Sequence, residues 1–200
     1  MGYHRAGFDV VGIDLNPQPN YPFDFVQADA LGYFAEHGAS FNAVHASPPC
    51  QASCTLIKGN QRATAANHIN LIPYTRALLA DFDGPNVIEN VQGSDLRRDL
   101  TLCGEMFGLG VIRHRYFEIN NFTAAQPPHI KHRGRVAGYR HGEWFDGPYF
   151  AVYGDGGGKG SVKQWQIAMG IDWTDARREI AEAIPPAYAE FVGTKMMEQL

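Results

Sequence analysis

The sequence Ala-Ser-Pro-Pro-Cys-Gln at residues 46–51 places a cysteine directly after a short apolar run. Residues 41–46 have the composition of a buried strand, and Pro48 and Pro49 cannot continue it because proline has no backbone N–H for the ladder. The residue before a proline is held in extended geometry, so the chain carries Cys50 beyond the carboxyl edge of the strand. Open α/β sheets bind ligands at this edge. Cys50 is therefore a candidate nucleophile, with an ordinary loop cysteine as the alternative.

Two later segments carry groups that complement a thiol. Residues 86–91, Asn-Val-Ile-Glu-Asn-Val, form an apolar run with Glu89 near its end, and residues 112–117, Ile-Arg-His-Arg-Tyr-Phe, are typical of a strand. Because side chains alternate along a strand, this pattern predicts Arg113 and Arg115 on one face. A thiol, a carboxyl group and paired guanidinium groups could together hold a flat polar heterocycle and attack it.

The order of these three motifs resembles the DNA cytosine-5 methyltransferases of phage and bacterial type. The fourth, sixth and eighth motifs of that family match Pro-Cys-Gln at residues 49–51, Glu-Asn-Val at 89–91 and Arg-His-Arg at 113–115. The resemblance extends over about residues 2–193 and is firmest as far as Phe117. It implies DNA methylation of the restriction-modification kind, with double-stranded DNA as the partner.

The resemblance also implies the fold. We expect an α/β architecture built on a doubly wound, Rossmann-like sheet of the S-adenosylmethionine-dependent methyltransferases, with a small target-recognition lobe. The expected division is a catalytic core over residues 1–119, a target-recognition region over 120–164 and C-terminal helices over 165–200. Apolar spacing predicts helices over 31–37, 71–82, 175–183 and 187–200, the second of which would connect the strands carrying Cys50 and Glu89.

The catalytic roles follow from the family's chemistry. Cys50 would add to carbon 6 of a flipped-out cytosine, and protonated Glu89 would hydrogen-bond ring nitrogen 3. Of Arg113 and Arg115, one would hold the ring carbonyl and the other the carboxylate or a phosphate. Carbon 5 would then accept the methyl group of S-adenosylmethionine.

Two acids at strand ends are the candidates for holding that cofactor. Asp14 ends an apolar run at residues 8–15, where nucleotide-binding folds place an acid on the ribose, and Asp29 follows a second run. The resemblance assigns Asp14 to the ribose and Asp29 to the adenine amino group, with neighbouring contacts from Leu15, Ala30 and Pro49. Capping of the following helices is the alternative interpretation of both acids.

The family's first motif has no counterpart in the chain. That motif is a strand followed by a glycine-rich turn, whereas this chain begins at residues that match the helix after it. We therefore expect an N-terminally incomplete chain whose sheet lacks a central strand between those ending at Asp14 and Ser47. Two other functions remain open: a DNA-binding relic without activity, and a related enzyme that acts on free pyrimidine nucleotides.

The charge distribution is uneven. The net charge is −4, yet residues 122–163 carry six Lys or Arg against three acids. A local positive surface of this kind can bind phosphates on an otherwise acidic protein. The expected DNA contacts are Gln51, Lys131, Arg133, Arg135 and Arg140, and a solvated surface is the alternative for the four basic residues.

Composition limits the class of protein. A 200-residue chain with 44% hydrophobic residues is long enough for one substantial core. There is no apolar stretch of membrane-spanning length and no signal pattern, so we expect a cytoplasmic monomer with no membrane partner. Three cysteines do not indicate a disulfide framework. Cys50 and Cys54 lack a second pair at zinc-finger spacing, so no metal ligands are predicted, and Cys103 is interpreted as a core residue.

Overall fold

The computed structural model describes residues 1–49, 69–154 and 160–200. Cys50, Gln51 and Cys54 therefore lie outside the described residues. Within the described ranges, no helix combines the length and the apolar character needed to cross a bilayer.

A four-stranded mixed sheet forms the centre of the fold. Numbered by their place in the chain, its strands are β3 (Val44–Ala46), β4 (Asn86–Val91), β5 (Leu100–Leu102) and β6 (Arg115–Asn120), and their order across the sheet is β3-β4-β6-β5. The pair β3–β4 is parallel, while β4–β6 and β5–β6 are antiparallel. The connection from β3 to β4 contains the predicted crossover helix, and it brings the carboxyl ends of these two strands to one edge.

Two smaller sheets accompany the central one. Strands β1 (Val11–Asp14) and β2 (Asp24–Gln27) form a parallel pair, and β7 (Gly138–Arg140) and β8 (Glu143–Phe145) form an antiparallel hairpin. Over residues 1–49, 69–154 and 160–200 the architecture is therefore mixed α/β with three separate sheets. The expectation that β1 and β3 belong to one sheet with a further strand between them stays a prediction.

The described helices lie before, between and after these strands, and the last three follow β8 in succession. They are α1 (Gly2–Arg5), α2 (Ala30–His37), α3 (Ile72–Leu79), α4 (Val162–Met169), α5 (Arg177–Glu182) and α6 (Pro186–Met197), with 3₁₀ turns at Gly38–Ser40 and Gly104–Phe107. The four predicted helices are confirmed as α2, α3, α5 and α6, with end positions that differ by up to three residues.

Polar side chains fix where two of these helices begin. The Asp29 carboxylate accepts a hydrogen bond from the Gly32 N–H at 3.1 Å, so it caps α2. At the start of α4, Ser161 Oγ accepts from the Gln164 N–H and the Gln164 side chain accepts from the Ser161 N–H. This reciprocal box satisfies N–H groups that have no partner inside the helix. Gly170, with φ of 68°, ends α4 in the left-handed conformation.

Side chains of β4 alternate between the two faces of the central sheet, and helices cover both faces. Val87 packs with α6 residues in one core cluster, whereas Ile88 packs with α3 in another. The α6 side contains Phe117, Tyr188, Val192 and Met196, and the α3 side contains Ile72, Leu79 and Tyr116. A third cluster joins α4 and α5 through Trp165, Met169 and Ile180. The sheet is thus a buried layer between helices.

Close backbone approach joins α1 to α6. A Cβ atom at Gly2 would lie 2.2 Å from the Pro186 carbonyl oxygen, and one at Gly193 would lie 2.8 Å from the Tyr3 ring. Both positions therefore require glycine. This contact holds Tyr3 beneath the carboxyl edge of β3.

Candidate active site

The site is built where β3 and β4 end side by side. Ala46 pairs with Ile88 in the parallel ladder, so Ser47 and Glu89 follow at the same level. The buried Asn90 donates its side-chain N–H to the Pro48 carbonyl at 2.8 Å. That hydrogen bond fixes the path of the chain as it leaves β3 through the two prolines. The segment leading to Cys50 is therefore anchored to β4.

Glu89 and Arg115 form a buried ion pair at this edge. Arg115 Nε lies 2.9 Å from Glu89 Oε1, and the two side chains are only 15% and 6% exposed. Antiparallel pairing of β4 with β6 places Arg115 opposite Val91, two positions beyond Glu89. Arg115 also donates to the His114 carbonyl at 3.1 Å. The guanidinium is thus held in place by both a carboxylate and the backbone.

Burial is the largest influence on the pKa of Glu89. Removal from water raises the pKa of Glu89 above its ordinary value, although the charge of Arg115, a Ser47 hydrogen bond and the charge of Arg113 all act in the opposite direction. A raised pKa favours the protonated carboxyl group, and that form can donate a hydrogen bond. Such a donor is what the predicted contact to a pyrimidine ring nitrogen requires.

A chain of polar side chains leads from Glu89 into the core. His45 Nδ1 bonds the Tyr3 hydroxyl, and His45 Nε2 lies 2.8 Å from Ser47 Oγ. Burial lowers the pKa of His45 to about 4, so the imidazole is neutral at pH 7. Burial also raises the pKa of Tyr3. His45 and Ser47 are polar residues at the end of an apolar run, which is a usable signal in the sequence, whereas Tyr3 is about forty residues away and is brought to them only by the fold.

The structure corrects the predicted arrangement of the two arginines. Residues 112–114 precede the strand, since β6 begins at Arg115, where its partners β4 and β5 both end. Arg113 instead donates to the carbonyls of Val152 at 2.7 Å and Ala181 at 2.6 Å. The prediction that Arg113 and Arg115 alternate on one face of a strand is therefore wrong. Arg113 ties α5 and the β8–α4 segment to the sheet, while its charge still acts on Glu89.

A cleft of about 750 Å³ opens between β1 and β3. The five residues predicted to hold the cofactor all line it: Asp14, Leu15, Asp29, Ala30 and Pro49. Asp29 caps α2, as the alternative interpretation predicted, and Asp14 accepts a hydrogen bond from the Asn16 N–H at 2.8 Å. The volume is in the range of small-molecule sites, and two carboxylates among apolar walls suit a ligand with an aromatic base and hydroxyl groups.

The basic residues predicted to bind DNA are in different environments. Lys131 is exposed. Arg133 forms an ion pair with the buried Glu105 at 2.6 Å, and Arg135 lies 4.7 Å from the centre of the Phe145 ring. Arg140 belongs to β7. The Arg133 guanidinium is therefore already engaged within the protein, whereas Lys131 is presented to solvent.

Comparisons with known proteins give no independent assignment. No protein-family model matches the chain, and no curated protein matches it. The functional interpretation accordingly depends on the motifs and on the geometry described above.

Proposed function

We propose that the chain is a DNA cytosine-5 methyltransferase that uses Cys50 as its nucleophile. The observation that carries the proposal is the buried Glu89–Arg115 pair, which lies at the same sheet edge as the segment of residues 47–49 that leads to Cys50. The order of the three motifs along the chain supports it independently. Chemistry on a cytosine needs these groups together, because carbon 5 becomes nucleophilic only after the aromatic ring is broken.

In the proposed reaction, the Cys50 thiolate forms a bond to carbon 6 and negative charge moves toward ring nitrogen 3. Glu89 in its protonated form donates a hydrogen bond to that nitrogen, which disperses the charge. Its raised pKa keeps the proton available. Arg115 holds the Glu89 carboxyl group in orientation and supplies positive charge where both side chains are largely buried.

The cofactor would lie in the cleft between β1 and β3. S-adenosylmethionine supplies an electrophilic methyl group when bound. Asp14 and Asp29 would accept hydrogen bonds from its ribose hydroxyls and adenine amino group, with apolar contact from Leu15 and Pro49. Once carbon 5 has been methylated, loss of its proton to water restores the double bond and breaks the sulfur–carbon bond, which returns Cys50 as a thiolate.

Bisulfite sequencing of DNA from bacterial cells that express the chain, in a host without cytosine-5 methylation, tests the activity. We expect protected cytosines in one sequence context, none with Cys50→Ser, and unchanged protection with the matched thiol control Cys54→Ser. DNA binding without methylation by a chain that binds S-adenosylmethionine would contradict the proposal and favour the relic.

Covalent trapping then tests the nucleophile directly. Duplex DNA with 5-fluorocytosine at the identified site should form a complex that survives denaturation, because fluorine cannot leave as a proton does. Free 5-fluoro-deoxycytidine monophosphate serves as the competing substrate. Trapping of the free nucleotide in place of the duplex would overturn the assignment to DNA, and trapping by Cys50→Ser would overturn the assignment of Cys50.

A further inference from the structure

A second cluster of reactive side chains lies outside the proposed active site. Cys103, His114, His129 and His132 bring one sulfur and three imidazole nitrogens within 4.8 Å of one another. Cys103 Sγ is 3.4 Å from His132 Nε2, and His114 Nε2 is 3.0 Å from His129 Nε2. None of these residues was assigned a ligand role from the sequence, although the His129-x-x-His132 spacing is a usable signal.

Three separate segments deliver these ligands. Cys103 follows β5, His114 immediately precedes β6, and His129 and His132 come from the loop between β6 and β7. The His114 and His129 rings are stacked at 5.2 Å with an interplanar angle of 9°. One nitrogen or sulfur atom from each of the four side chains lies within 4.8 Å of the other three, which is close enough for a single cation to be shared among them.

We infer that Cys103, His114, His129 and His132 form a metal site for Zn²⁺ or a similar divalent transition metal. One thiolate and three imidazoles are a ligand set that zinc favours, and four protein ligands complete a tetrahedral shell. Bond lengths of about 2.0–2.3 Å in that shell put neighbouring ligand atoms about 3.3–3.8 Å apart. All four ligand atoms lie within 4.8 Å of one another, so contraction by about an ångström would close the shell.

The chemistry of the four side chains suits a metal ion, because three of them are imidazoles and one is a thiol. Neutral imidazole is the form that binds a metal. A divalent ion would in turn stabilise the Cys103 thiolate, which burial otherwise disfavours.

The position of the site indicates its role. With four protein ligands it is a closed, structural centre that pins the β6–β7 loop to the ends of β5 and β6. The His114 carbonyl accepts the hydrogen bond from Arg115, whose guanidinium pairs with Glu89. An ion at His114 would therefore steady the backbone that positions Arg115. Metal binding itself requires no methyltransferase activity.

Metal analysis of the purified full chain tests the inference. After dialysis, inductively coupled plasma mass spectrometry should find one bound zinc per chain. Substitution with Co²⁺ should give the visible absorption of a tetrahedral site together with a thiolate-to-cobalt charge-transfer band. Cys103→Ser should remove that band.

His129→Ala is the second variant, because His129 is exposed and its loss should leave the fold intact. We expect it to weaken metal binding by more than about tenfold, the effect that loss of even an outer-shell partner can have. A chelator should lower the thermal midpoint of the wild type but not that of His129→Ala. The matched control His37→Ala, an exposed histidine in α2, should behave as wild type.

Three outcomes would overturn the assignment. They are the absence of bound metal in a folded wild-type chain, metal binding that is unchanged in both Cys103→Ser and His129→Ala, and metal lost only from variants of Cys50 or Cys54. Circular dichroism of each variant confirms that loss of metal does not reflect loss of fold.

Discussion

Two buried glutamates on neighbouring strands, Glu89 on β4 and Glu118 on β6, both face arginines, but their pKa values are shifted in opposite directions. Their side chains are 6% and 1% exposed, so burial alone does not distinguish them. Glu118 receives two hydrogen bonds from Arg76, both at 2.8 Å, and a third from the Arg97 backbone N–H at 2.9 Å. Glu89 has Arg115 as its ion-pair partner.

The pKa directions follow from these partners. Burial alone would raise the pKa of Glu118, but the hydrogen bonds and charges of Arg76 and Arg97 hold it below its usual range. For Glu89, burial exceeds the opposing effects of Arg115, Ser47 and Arg113. The number and geometry of charged donors thus separate a structural carboxylate from one that can carry a proton.

The largest expected difference between Glu89 and Glu118 is in the rate of methyl transfer. If Glu89 is the proton-bearing group of the proposed reaction, Glu89→Gln should lower the rate of methyl transfer by about 10²- to 10⁴-fold. Glu118→Gln, the matched change on the next strand, should reduce activity only in proportion to the unfolded fraction. Single-turnover rates with both variants, corrected for folded protein, make the comparison. Equal losses per folded molecule would remove the functional distinction.

The structural role of Glu118 predicts a large effect on stability. Arg76→Ala leaves a buried carboxylate without its bidentate partner, so we expect the free energy of unfolding to fall by about 3 kcal/mol. Urea denaturation measures this change. The control Arg5→Ala breaks a partly exposed pair with Glu190 at 3.6 Å and should cost less than about 1 kcal/mol. A cost for Arg76→Ala as small as that of the control would show that Glu118 does not need its partner.

His45 extends the comparison to a base on the Glu89 side of the sheet. Its pKa is lowered to about 4 in the folded protein, so the unfolded chain binds the proton more readily. Stability from this group is present above pH 6.5 and is lost as the pH falls toward 4, by at most about 3 kcal/mol. His45→Gln should flatten the pH dependence of unfolding over that range. An unchanged profile would mean that His45 titrates normally in the folded state.

The smallest expected effect is on the pH dependence of stability. The contributions of Glu89 and Glu118 to the free energy of unfolding should change in opposite directions as the pH rises. The raised pKa of Glu89 gives stability below its ordinary pKa that is lost as the pH rises through the folded value. The lowered pKa of Glu118 gives stability above its ordinary pKa that is lost as the pH falls. Raising the pH should therefore make Glu89→Gln less costly and Glu118→Gln more costly. Unfolding free energies of both variants at several pH values check this, and matching slopes would contradict it.

The sequence predicted the local elements well because their signals are local. Apolar spacing located α3 and α6, and the run that ends near Glu89 is β4. Strand-end acids and prolines also led to residues that share one cleft or edge, including Asp14, Asp29 and Pro49.

The remaining features depend on contacts between distant segments. The start of β6 is set by where β4 and β5 end, so the role of Arg113 could not be inferred from its alternation with Arg115. Glu118 has the pattern of an ordinary strand residue until α3 brings Arg76 to it. The Cys103 cluster likewise needs two loops and a strand end to meet.

Direct titration of the two carboxyl groups is the most decisive measurement. Nuclear magnetic resonance of protein labelled with ¹³C at the glutamate carboxyl carbons reports each pKa, and Glu89→Gln and Glu118→Gln assign the two signals. We predict that Glu89 titrates above the ordinary glutamate value of 4.5 and Glu118 below it. A Glu89 signal that titrates at or below that of Glu118 would contradict the account of Glu89 as the proton-bearing carboxyl group.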